Sequence, residues 1–199
     1  MKNIISNGVK KEDWMPCPKD EVNYPGLAYL CPLGELIVAE EPDTLHSLIG
    51  LKDISYTIYN NEGQKVFLAV KKGQYKFVIK IYNYYGNEII EVQKPSECVN
   101  KALIWAPPGN FVGSVEKTKS CPKTYLVKNH LGEKVLKIKA RQYLNNSGFN
   151  IFSNGDLIGL ISARWRYAVS FPIEMDFAIK SILLGACFLI SWKKPLLGS

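Results

Sequence analysis

Short runs of aliphatic, β-branched and aromatic residues, broken by polar turns, fill most of the chain, a pattern of half-buried strands rather than of helices. The run from Glu35 to Glu41 predicts a strand that Pro42-Asp43 ends. One motif then recurs: an apolar run, an Asn-x-x-Gly turn and a second apolar run. It occupies Ile58 to Val66, Ile81 to Ile89 and Val127 to Val135. Asparagine can bind its own backbone, and glycine supplies the positive φ that reverses the chain, so each copy predicts a hairpin. Ile151 to Ile158 is a shorter version built on Asn154-Gly155, and Ala102 to Val115 forms a further strand, turn, strand unit around Pro107-Pro108-Gly109. So many short antiparallel strands predict a sandwich or a closed barrel.

The pattern changes at the C-terminus. From Phe177 to Trp192 the apolar residues, among them Phe177, Ile182, Leu183, Leu184, Cys187, Phe188, Leu189 and Ile190, lie all round a helical wheel. Such a helix is buried either in protein or in lipid. At about 1.5 Å per residue it would be about 24 Å long, short of a hydrocarbon core of roughly 30 Å, and it carries Lys180. Trp192, Lys193 and Lys194 would suit an interfacial flank, but length and charge favour a helix that plugs a barrel. Lys180 is expected to pair with Asp176 at i, i+4.

With 199 residues, 47% of them hydrophobic, the chain can bury one core, which predicts an extended lead-in over residues 1–23, a single β domain over 24–194 and a short tail over 195–199. Trp14 and Met15 are the anchors of the lead-in. The formal charge of +7 attracts polyanions, including anionic lipid surfaces. No nucleic-acid recognition motif accompanies it. Five cysteines without a CxxC pair and two isolated histidines, His46 and His130, support neither a zinc site nor a disulfide framework. The first nine residues lack the apolar region of a secretory signal, so a cytosolic fold with reduced thiols is expected. No nucleophile, base and orienting group come together in the sequence, which argues against covalent catalysis.

Several segments in a fixed order resemble the phospholipid scramblases, a family of the tubby-like group. They are Met15-Pro16 leading to Pro25-Gly26-Leu27-Ala28-Tyr29-Leu30, the hairpin Tyr56 to Val66, Ala106-Pro107-Pro108-Gly109 with Val112-Gly113, Phe171-Pro172, and Leu184-Gly185-Ala186-Cys187-Phe188-Leu189-Ile190. The resemblance implies a closed antiparallel β-barrel of about twelve strands around the hydrophobic C-terminal helix. It also implies ATP-independent, bidirectional movement of phospholipids between leaflets, triggered by calcium, at the cytosolic face of the plasma membrane, with anionic phospholipids as partners. Lipid translocation of this kind involves no covalent chemistry. Association with further copies of the chain is left open.

Two departures bear on the site. Where the family carries an acidic calcium segment, this chain has Arg164-Trp165-Arg166-Tyr167-Ala168-Val169-Ser170, and only Glu174 and Asp176 remain as carboxylates, so weak or no calcium binding is expected. The family's cysteine clusters are reduced to Cys98, the acylation candidate, and one acyl chain gives only marginal anchoring. Arg164, Trp165, Arg166, Lys193 and Lys194 are the candidates for lipid contact, and Lys71, Lys72, Lys76 and Lys80 are a second basic cluster weighed against a solvated strand face. A lipid-binding or regulatory module of the same fold that does not transport lipid is the alternative function.

Overall fold

The three Asn-x-x-Gly segments close with one geometry. Asn60, Asn83 and Asn129 each use Oδ1 to accept two backbone N–H groups, those of Glu62 and Gln64, Tyr85 and Asn87, and Leu131 and Glu133, at 2.8–3.1 Å. The glycines Gly63, Gly86 and Gly132 take φ of 78–80°, which a side chain would resist. Asn154 and Gly155 both have positive φ, as a two-residue hairpin turn requires.

The structure, a computed structural model, describes residues 13–18, 26–48, 50, 53–73, 77–96, 98–141, 148–163 and 166–191. Its strands are β1 (Glu35–Ala39), β2 (Ile54–Tyr59), β3 (Lys65–Lys72), β4 (Val78–Tyr82), β5 (Glu88–Gln93), β6 (Lys101–Trp105), β7 (Phe111–Lys117), β8 (Thr124–Asn129), β9 (Lys134–Ala140), β10 (Gly148–Ser153), β11 (Asp156–Ala163) and β12 (Tyr167–Ser170). They pair antiparallel with their neighbours in sequence, and β1 pairs with β12 to close a barrel. A 3-10 turn at Ala28–Leu30 precedes β1, a short helix α1 (Thr44–Leu48) joins β1 to β2, and helix α2 (Phe177–Ser191) ends the fold.

A β-bulge interrupts the register beside each turn, at Ile58/Tyr59, Ile81/Tyr82, Ile104/Trp105 and Val127/Lys128, so the hairpin unit repeats every 23 residues. The bulge adds twist, which helps a sheet curve to closure. Ile58, Ile81, Ile104 and Val127 are all fully buried in the core.

The lead-in is pinned where Trp14 bridges to Lys65 and packs edge-on against Tyr84 at 5.1 Å, in a small cluster with Leu45 and Leu68 outside the main core. Asp43 caps α1 by accepting from the Leu45 N–H at 2.8 Å and lies 2.7 Å from the Lys65 ammonium. His46 is fixed in the same corner: its Nδ1 accepts from the Asp43 N–H, which leaves Nε2 to donate to the Ala69 carbonyl at 3.3 Å. Burial alone would raise the Asp43 pKa, but Lys65 and the Leu45 N–H outweigh it and hold it below the ordinary carboxylate value. A depressed folded-state pKa stabilises the fold above the unfolded value and ceases to do so as pH falls through the folded one. The denaturation midpoint should therefore drop on acidification below about pH 4, with a flatter drop in Asp43→Asn, which keeps the cap acceptor but loses the charge. Equal slopes for the two proteins would refute this assignment.

Candidate functional site

The C-terminal helix lies inside the barrel. Every residue from Lys180 to Leu189 is buried, including Ile182, Leu183, Leu184, Cys187, Phe188 and Leu189, while Phe177 and Ile190 pack half-buried at the two ends. Two glycines let it seat. Gly113 of β7 leaves room for Ile182, and Gly185 of the helix faces Ile104 and Val92. Tyr56 packs edge-on against Phe188 at 5.3 Å. The Cys187 thiol is pushed up to about 12 by burial, which leaves it an inert core group. No described helix is long and apolar enough to cross a membrane. Of the two environments such a helix can occupy, this one occupies protein.

Lys180 corrects an expectation. It forms no ion pair with Asp176; its ammonium is fully buried and shares its three N–H groups among four carbonyls, those of Leu30, Cys31 and Leu33 at 2.9 Å and of Ile173 at 2.6 Å, with the Phe171 ring 5.4 Å away. The i, i+4 spacing was misleading because Asp176 has another task, capping α2 through Oδ1 with the Ala178 N–H at 2.8 Å. Three of the four carbonyls precede β1 and the fourth follows β12, so Lys180 ties together the two strands that close the barrel. Burial pulls its pKa below the ordinary lysine value, while Cys31, Glu174 and Asp176 push the other way.

The other predicted residues do not converge. Glu174 and Asp176 are exposed at the entrance of α2, and no group of three or more His, Cys, Asp or Glu is arranged for a metal among the described residues. Arg166 is engaged by Glu41 at 3.3 Å and lies over the Tyr59 ring, whose hydroxyl donates to the same Glu41 at 2.6 Å. Cys98 is exposed in the β5–β6 connection. Arg164, Trp165, Lys193 and Lys194 lie outside the described residues, as does Lys76. The cluster around Lys72 and Lys80 is neutralised locally: Lys72 meets Asp53 at 3.3 Å, and Lys80 meets Glu88 at 2.8 Å and Glu91 at 3.9 Å. Lys71 is buried.

A basic face that sequence reasoning missed lies on β8, β9 and β10. Along β9 the residues Leu136 and Ile138 point into the core while Lys134, Lys137 and Lys139 are exposed. Register sets Lys137 between Leu126 of β8 and Phe152 of β10, with Leu157 of β11 next across, and sets Lys139 between Thr124 and Asn150. A surface groove of about 460 Å³ runs here, lined by the three lysines and by Leu126, Val135 and Phe152 among others. Residues 117–141 hold seven lysines and Arg141 against Glu133 alone, a net +7 that equals the formal excess of the whole chain. Lys128 is paired with Glu116 at 2.9 Å, whereas Lys134, Lys137 and Lys139 have no acidic partner among the described residues. The alternation Lys134-x-x-Lys137-x-Lys139 was the available signal.

Comparison with known proteins matches this arrangement. A solved structure of an Arabidopsis thaliana protein superposes with a TM-score of 0.54 at 10% identity, covering 81% of this chain and 93% of the other, which shows the fold alone. Phospholipid scramblase 2 of Bos taurus is 28% identical over 90% of this chain and 74% of its own length, and phospholipid scramblase 1 of Homo sapiens is 27% identical over 90% and 69%. The scramblase family model matches residues 15–193, from the anchor beside Trp14 through the whole of α2. The match takes in both the barrel and the helix within it, and the chain belongs to the phospholipid scramblase family.

Proposed function

We propose that this protein is a phospholipid scramblase-like protein that works at the cytosolic face of a membrane, moving phospholipids between leaflets without ATP, by translocation rather than covalent chemistry. The observation that carries the reading is the family match over residues 15–193, which takes in both the barrel and the helix within it. Calcium is at most a weak effector in this reading. Its support is the pair Glu174 and Asp176, both exposed and one engaged as a helix cap, since calcium takes six to eight oxygen ligands.

A second reading, a lipid-binding module without transport, draws on the burial of α2. A helix whose apolar surface is consumed by the barrel offers lipid no path unless it is released or several copies assemble. Reconstitution separates the two. Vesicles carrying the purified chain and a fluorescent headgroup lipid in both leaflets should show quencher-accessible lipid rising above the outer-leaflet fraction, at the same rate with calcium or chelator. Binding without any such rise would establish the module instead, and a rate that required calcium would reject the weak-effector assignment.

A further inference from the structure

We propose that the outer face of β8, β9 and β10 is the membrane-docking surface of this barrel, and that the groove along Lys134, Lys137 and Lys139 seats the headgroups of anionic phospholipids in a bilayer. The inference rests on the membrane reading above and adds to it the face and the residues.

Three observations converge. The first is charge: the segment 117–141, which supplies β8 and β9, has a formal excess of +7, and the three groove lysines are exposed and without acidic partners among the described residues, unlike Lys72, Lys80 and Lys128, which are paired. An unpaired ammonium on an apolar stem is free to meet a phosphate or carboxylate from outside. The second is the floor. Leu126, Val135 and Phe152 lie between and beside the lysines, so the groove offers apolar contact below a cationic rim, as a lipid headgroup joined to its acyl chains demands.

The third is the rim. Leu131, at the tip of the β8–β9 hairpin, is 69% exposed, and Leu157, the cross-strand partner of Phe152, is 61% exposed. Large aliphatic groups in this setting would be costly in water alone but can enter the boundary between headgroups and acyl chains. A nucleic acid would also answer the charge, yet it would leave Leu131 and Leu157 unused. Since α2 spends its apolar surface inside the barrel, the outer wall is the surface the described fold offers to a membrane, and this stretch of it combines unpaired charge with exposed aliphatic groups.

The test is flotation of the full chain with vesicles of phosphatidylcholine alone and of equal parts phosphatidylcholine and phosphatidylserine. The parent should float with the mixed vesicles only, and lose binding at high salt. Lys134→Gln, Lys137→Gln and Lys139→Gln together should weaken partitioning about a hundredfold, from about 1 kcal/mol per basic residue at an anionic surface, while the corresponding triple arginine variant keeps it. All three side chains are exposed, and an unchanged thermal melt confirms that the fold is intact. Undiminished binding of the triple glutamine variant would overturn the proposal, as would equal binding to phosphatidylcholine alone or displacement from the vesicles by a short DNA duplex. Lipid exchange is read separately: lysine-dependent binding without exchange keeps the docking face and removes the transport reading, whereas exchange with lysine-independent binding does the reverse.

Discussion

Lys180→Met is expected to destabilise the fold by about 3–5 kcal/mol, a large fraction of the 5–15 kcal/mol that holds a typical domain together. Methionine fills nearly the same volume, so a cavity is not the cause. What changes is the fate of four carbonyls, those of Leu30, Cys31, Leu33 and Ile173, which now converge within hydrogen-bonding distance of one ammonium. Replacing both partners of a buried polar pair by apolar groups can be neutral, but backbone oxygens cannot be replaced. The Leu33 oxygen stays buried and loses its donor, and the buried Leu30 oxygen keeps only the Leu33 N–H at 3.3 Å, each at a cost of order 1–3 kcal/mol. Those carbonyls flank the β1–β12 seam, so the loss should also loosen the helix. Two measurements check this: the denaturation midpoint, and the rate at which a thiol reagent labels Cys187 when Cys17, Cys31, Cys98 and Cys121 are serine. A change under about 0.5 kcal/mol with Cys187 still protected would mean that the cradle is ornamental.

The same residue shows where sequence reasoning stops. The hairpins were legible because their determinants are local: an asparagine, a glycine three residues on and apolar runs either side decide the turn without help from the rest of the chain. The helix was legible too, since apolarity all round a wheel admits few environments. Lys180 was not, because three of its acceptors lie 147–150 residues away and the nearest acid at helical spacing was a misleading partner. Arg166 failed in the same way, its glutamate being 125 residues distant. The basic face sits between these cases. The alternation along β9 is a local pattern, but that Leu126 and Phe152 flank Lys137, and that it is ion-paired to no acid among the described residues, depends on which strands stand beside it. Charge in a sequence is a sum, and only the sheet register turns it into a surface.

Gly185→Leu should cost about 3 kcal/mol or more, against the local preference of the helix. Glycine in a helix interior is worth about 1 kcal/mol less than alanine, so on propensity alone a larger residue at this position would stabilise α2. Packing reverses the sign. A Cβ on Gly185 would come 2.7 Å from Ile104 Cγ1 and 3.4 Å from Val92 Cγ2, and both neighbours are fully buried strand residues with nowhere to retreat. Ile104→Ala alone should cost about 2–5 kcal/mol by emptying the same space. Combined, the added side chain fills the vacated volume, and the double variant should be more stable than the two single losses summed, with a coupling of at least about 1 kcal/mol by denaturant titration. Additive losses would show that the helix does not bear on β6 at this point. A positive coupling would establish in solution that the helix of this family member sits against the inner wall of its barrel.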